Sequence, residues 1–274
     1  LINASGVIRK MKTKLSSTVE YTMVIGDNLI PINEHIGKEI SISHTGGIFC
    51  VQCGRKTSKS FQQGHCYPCM RKIFECNNCI LHPEKCLVET KTCPSDDWAH
   101  EQCAKDHVVY LANSSALKIG VTRTSQVPTR WMDQGAMQAM PIYKTSNRYQ
   151  AGIIEVAFKR AVSDKTNWRT MLKQDSIPVD LTAKRQELLS VVGKEIDTIL
   201  NSYHDEIIVL SSPEVLIKFP VSTYLDKITS LSLDKTDEVK GVLLGIKGQY
   251  LILNSGVINI RKFSGYDAKV SVYE

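Results

Sequence analysis

Most of this sequence lacks cysteine. All nine cysteines fall between Cys50 and Cys103, and the rest of the 274 residues have none. Disulfide-stabilised secreted proteins are usually short chains with a secretion signal, so this distribution argues against that class. The opening segment, Leu1 to Lys14, has no apolar core of the kind a signal peptide needs. No window approaches about 18 consecutive apolar residues, so no membrane-spanning helix and no membrane partner are expected. No internal repeat is evident. A chain with these absences and 42% hydrophobic residues reads as a globular cytoplasmic protein with a normal core.

What is present divides the chain. Residues 1–49 alternate like strands, with Val19–Ile25 and Lys38–Ser43 separated by the turn Gly26-Asp27-Asn28. Residues 50–106 hold the cysteines. Residues 107–175 mix strand and helix: His107–Ala112 and Ala116–Thr122 form a hairpin, and Arg130–Ala139 and Gln150–Ala161 read as helices. Residues 176–205 carry one helix, with Leu181, Leu188, Val192, Ile196 and Ile199 on one face and Asp180 as its cap. Residues 206–274 return to strands, expected as a small β-barrel or sandwich. The fold class is therefore α+β: an N-terminal β segment, a cysteine module, a small α/β domain, a linking helix and a C-terminal β domain.

Cys50-Val-Gln-Cys53 and Cys66-Tyr-Pro-Cys69 are two CxxC pairs. Each CxxC forms a tight turn that points two thiolates at one ion, and two such turns complete a closed tetrahedral zinc site. Gly54 supplies the backbone freedom such a turn needs. A second set follows: Cys76, Cys79, Cys86 and Cys93, with Cys103 and His82 as possible replacements. A cross-braced arrangement joining Cys50/Cys53 to Cys76/Cys79 is the alternative. One to two structural zinc ions are expected. All-cysteine sites leave no position for substrate, so the module reads as a scaffold.

Charge is concentrated elsewhere. Between His107 and Asp175 stand ten Lys/Arg and four acids, an excess equal to the net +6 of the whole chain. A polyanion is the expected partner, with nucleic acid first. Trp131 and Trp168 lie among Arg123, Arg130, Arg148 and Arg169, where rings stack on bases while guanidinium groups hold phosphates. Trp131, Trp168, Arg123, Arg148 and Arg169 are the candidate nucleic-acid-binding residues.

The stretch from Val108 resembles the core of the GIY-YIG nuclease superfamily. Val108-Val109-Tyr110 matches the first element, Lys118-Ile119-Gly120 the second, and Thr122, Arg130, Glu155 and Asn167 the ordered residues that follow. The resemblance implies that Glu155 holds one Mg²⁺ or Mn²⁺, that Tyr110 helps activate water, and that Arg130 binds phosphate charge. Asn167 and Lys118 complete the candidate catalytic set. Lys118 stands where the family has a tyrosine; an ammonium is a poor general base unless desolvated. The resemblance therefore implies weakened or altered cleavage.

Over most of its length the chain resembles the bacterial family called domain of unknown function 2797. The residues that carry this are Cys50-Val-Gln-Cys53-Gly54, Gln63-Gly64-His65-Cys66-Tyr67-Pro68-Cys69, Arg130-Trp131-Met132-Asp133-Gln134-Gly135-Ala136, Thr166-Asn167-Trp168-Arg169, Gly245–Ile252 and Asn259–Lys262. Three functions are expected in order: binding of structured RNA, ribosomal or transfer RNA included, or of DNA; metal-dependent cleavage of the same; and protein scaffolding.

Overall fold

The computed structural model describes residues 2–72, 78–162 and 167–273. Its strands form two antiparallel sheets, and every paired register is antiparallel.

The first sheet is built from both ends of the chain. Strands β1 (Ile2–Lys14), β2 (Glu20–Ile25), β3 (Asn28–Pro31) and β4 (Glu39–Ile48) come from the N-terminal part. The C-terminal part supplies β10 (Glu238–Lys247), β11 (Tyr250–Leu253), β12 (Gly256–Asn259) and β13 (Tyr266–Val272). The order is β12-β11-β10-β4-β13-β1-β2-β3. The C-terminal strands are thus not a separate barrel or sandwich: β13 lies between β1 and β4. Its alternating Ala268, Val270 and Val272 are buried, and its backbone pairs on both edges with strands from the N-terminal part. The same alternation buries Tyr21, Met23 and Ile25 in β2 and leaves Glu20 outside.

The second sheet holds β5 (His107–Asn113), β6 (Leu117–Arg123), β7 (Gln138–Thr145), β8 (Ile207–Val209) and β9 (Val215–Leu216). Its order is β6-β5-β7-β8, with β9 also on β7. All seven residues of β5 are buried. Val109 and Leu111 face a core shared with the helices at Arg148–Lys159 and Leu181–Ser202. Val108, Tyr110 and Ala112 face the core of the large sheet. A strand covered on both sides must read as a continuous apolar run, and Val108–Ala112 does.

Six α-helices lie among the described residues: α1 (Tyr67–Lys72), α2 (Asp96–Trp98), α3 (Thr129–Asp133), α4 (Arg148–Lys159), α5 (Trp168–Met171) and α6 (Leu181–Ser202). The Asp180 carboxylate accepts the Ala183 amide at 2.8 Å and caps α6 as its sequence implies. The helix expected over Arg130–Ala139 stops at Asp133. Gly135, at φ +67°, turns the chain out of it, and Gln138 already belongs to β7. No helix of the described residues is long and apolar enough to cross a membrane.

Candidate functional site

The first pair of CxxC turns does converge. The Sγ atoms of Cys50, Cys53, Cys66 and Cys69 all lie within 4.8 Å of one another. Cys53 and Cys66 stand 3.9 Å apart. Four sulfurs at about 2.3 Å from a tetrahedral ion are separated by about 3.8 Å, so the set fits a zinc-sized ion. The turn is made locally: the Gly54 amide donates to Cys50 O at 2.9 Å, with Gly54 at φ +70°. Burial pushes the Cys50 thiol up, but the backbone amides of Cys66, Cys53 and Gln52 outweigh it and bring it to about 6. Burial and its three sulfur neighbours push Cys69 up to about 12.

Of the second cysteine set, the described residues show Cys79 near Cys86 and Cys93, with Cys103 beside Cys86. Cys76 lies outside the described residues. Cys86 shares a hydrogen bond with Cys103, not with Cys93, and both Cys86 and Cys103 are buried. Cys79 is within electrostatic reach of Cys86 and Cys93. Among the described residues only the first set draws all its ligand atoms within 4.8 Å. This second segment packs on α4. The Arg148 guanidinium donates to Ile80 O at 2.7 Å, and the Asn147 amide donates to Glu89 Oε1 at 3.0 Å. The Arg148 guanidinium thus faces the cysteine segment rather than the pocket on the second sheet.

Four of the five residues expected to be catalytic meet in one pocket of about 220 Å³. Tyr110 reaches it from β5, Lys118 and Gly120 from β6, Arg130 and Gln134 from α3 and the turn after it, and Glu155 from α4. The hairpin register sets Tyr110 opposite Gly120. Tyr110 is fully buried and donates to Gln134 Oε1 at 3.0 Å. Burial raises its pKa; the Arg130 guanidinium pulls it the other way and is hydrogen-bonded to it. The phenol therefore stays protonated at neutral pH. The Glu155 carboxylate, 8% exposed, lies 3.4 Å from Lys159 one turn along α4. Lys118 is 9% exposed in the same pocket, so its stem is covered and its charge is partly desolvated.

Other expected residues sit elsewhere. Asn167 is exposed and caps α5, its Oδ1 accepting the Arg169 amide at 2.9 Å; it does not line the pocket. Trp131 is 2% exposed and meets Tyr110 edge to face at 5.8 Å. An α3 that faces the large core must bury this side chain, so no base can stack on it. Trp168 stacks on Tyr250 at 5.6 Å and 7°, with the Arg169 guanidinium 4.4 Å from its ring centre. Arg123 lies away from the pocket, in a cleft with Glu101, Lys105 and Asp106. Gln134 belongs to the segment Trp131–Ala136, polar enough to line a cleft, but the sequence assigns it no catalytic role. Its signal was the four-residue spacing from Arg130, which puts both on one helical face.

These features define a mixed α+β protein with a four-cysteine cluster and a small polar pocket on its second sheet. The chain belongs to the family described as "Protein of unknown function (DUF2797)", whose model matches residues 37–268. No curated protein and no solved structure matches the chain.

Proposed function

We propose that this chain is a zinc-containing protein that binds nucleic acid, structured RNA first, through a GIY-YIG-like unit made of β6-β5-β7 and α4, and that it cleaves inefficiently. The observation that carries this reading is the pocket holding Tyr110, Lys118, Arg130, Gln134 and Glu155 together. The Arg130 guanidinium and the Lys118 ammonium in one place suit a phosphate oxygen. The lining has two cations and a single carboxylate, and that carboxylate already faces Lys159. A divalent ion at Glu155 would have to displace this pairing and sit near Lys118. That opposes efficient metal-assisted cleavage. Zinc at Cys50, Cys53, Cys66 and Cys69 would hold the loop between the two cysteine pairs in shape.

The second reading, an active endonuclease dependent on Mg²⁺ or Mn²⁺, rests on Glu155, Tyr110 and Arg130 sharing that pocket. Labelled structured RNA and duplex DNA, incubated with and without Mg²⁺ or Mn²⁺, separate the two. Salt-sensitive binding without cutting supports the first reading. Cutting that Glu155→Gln abolishes supports the second. Absence of binding to either polymer at low salt overturns both and leaves a protein scaffold.

A further inference from the structure

A larger cleft, of about 590 Å³, adjoins the pocket and shares Arg130 with it. Several parts of the chain line it, Ile80, Leu81 and Arg130 of α3 among them. Arg9 and Lys10 come from β1, Gln62 and Gln63 from the loop between the two CxxC pairs, and Arg261 from the single turn after β12. Four of the lining side chains are Lys or Arg and none is Asp or Glu. Low-dielectric walls carrying one sign of charge concentrate counter-ions.

Arg261 makes the cleft more than an ordinary basic surface. It is half-buried, and among the described residues no hydrogen bond or ion pair reaches its guanidinium. Burial lowers its pKa, and the neighbouring Arg130 lowers it further; Asp133 opposes them. Asp133 is the one anion near it among the described residues, and that carboxylate is shared with Lys10 and, at 2.8 Å, with Gln249. A partly buried cation beside a like charge, sharing a single carboxylate with Lys10, gains from an anionic ligand.

The loop on the opposite wall is strained. Gln62 and Gln63 have φ of 45° and 64°, and Gly64 follows at 127°. Consecutive non-glycine residues in the left-handed region persist only where the surroundings over-determine them, and such strain gathers at ligand clamps. Here the cysteine cluster pins both ends of the loop, at Cys53 and Cys66. The result is two exposed amide side chains on the rim of a cationic cleft.

We propose that this cleft is the track along which a nucleic-acid strand lays its phosphates, Arg9 and Arg261 each holding one, before the strand reaches the Tyr110 pocket at Arg130. The inference rests on the nucleic-acid reading above and adds to it a site outside the basic segment 107–175. Cations distributed over three chain segments suit successive phosphates of one strand; a lone phosphate needs a single guanidinium.

Fluorescence anisotropy tests it with a labelled RNA hairpin carrying a single-stranded tail, and with DNA of the same sequence. The variants are Arg9→Gln, Arg261→Gln and their combination, with Lys194→Gln on the exposed face of α6 as control. Arg9 is exposed on its strand, so its variant keeps the fold even if Arg261→Gln does not. Thermal unfolding and metal content check each variant. The double variant is expected to bind about tenfold or more weakly. Its salt slope should fall by about 1.4, which is about 0.7 for each single-strand phosphate that is no longer neutralised. Arg9→Gln alone is expected to take about half of that change in slope. Wild-type binding that the variants leave unchanged overturns the cleft and spares the nucleic-acid reading. Absence of wild-type binding overturns both. Displacement of the strand by inorganic phosphate or a mononucleotide at equal concentration would make the cleft a small-anion site and overturn the strand proposal.

Discussion

The ring of Tyr110 lies directly across Gly120, its partner on the neighbouring strand. A methyl group at Gly120 would come within 2.7 Å of both Cζ and the hydroxyl oxygen of Tyr110. The glycine of the Lys118-Ile119-Gly120 element is thus the floor on which the phenol rests, and the phenol fixes Gln134 and Arg130 in turn. Motif residues ten positions apart act as one unit.

Gly120→Ala is accordingly expected to destabilise the protein by about 1–3 kcal/mol, the usual cost of overpacking a closed site. In a Tyr110→Ala background the same change should cost nearly nothing, because the obstructing ring is gone. Urea unfolding of the four proteins in this double-mutant cycle measures the coupling, and a coupling near zero would show that the ring moves aside freely.

What the sequence disclosed follows from how local each interaction is. Cys50 to Cys69 and the hairpin Tyr110–Gly120 are set by short spacings, and both were legible. The place of β13 between β1 and β4 was not, because alternation reports which residues are buried and not which strand they pair with. Trp131 has the composition of a stacking platform, yet α3 turns it inward against Tyr110. Arg261 is more than a hundred residues from Arg130 in sequence and meets it only through the packing of the two sheets. Distant pairs of this kind carry no local signature, and they are the ones that shape the cleft.

Metal content is the next expectation. Purified protein should carry at least one zinc per chain, and Cys66→Ser should remove about one equivalent, since each thiolate of a closed tetrahedral site is needed. Emission spectroscopy of wild type and variant reads this directly. Zinc below about half an equivalent in both would remove the metal from the first cysteine set. The loss should also lower the thermal midpoint, because the strained residues Gln62 and Gln63 are held between Cys53 and Cys66.

His107 gives a pH dependence. It is fully buried at the start of β5, with Nδ1 on Lys105 O at 2.7 Å and no partner for Nε2 among the described residues. Burial is the main cause that lowers its pKa to about 4, against 6.5 for the free side chain. Between these values the unfolded chain binds more protons, so stability must fall as pH falls. The neutral ring's contribution is complete above 6.5; it declines by about 2 kcal/mol at pH 5 and about 3 kcal/mol at pH 4. Urea unfolding of wild type and His107→Gln across pH 7.5 to 4 isolates this part, because the acid sensitivity of the thiolates is common to both. Parallel curves would mean that His107 is not desolvated in the native state.

Trp168 separates a binding surface from a packing surface. Tyr250 covers one face of its ring in a near-parallel stack, and the Arg169 guanidinium lies 4.4 Å from the ring centre. The pair fastens α5 to β11, beside the small core of Met171, Leu172, Ile252 and Val257. Trp168→Ala is therefore expected to cost about 2 kcal/mol of stability, below the 3–5 kcal/mol of a fully buried ring because Trp168 remains partly exposed. Its RNA affinity, measured where the variant is fully folded, should stay within about twofold. A base stacked on Trp168 would instead be worth about 1–3 kcal/mol, a loss of fivefold to more than a hundredfold in affinity. The two outcomes do not overlap. A large loss of affinity with unchanged stability would return Trp168 to the nucleic-acid surface and require Tyr250 to release it on binding.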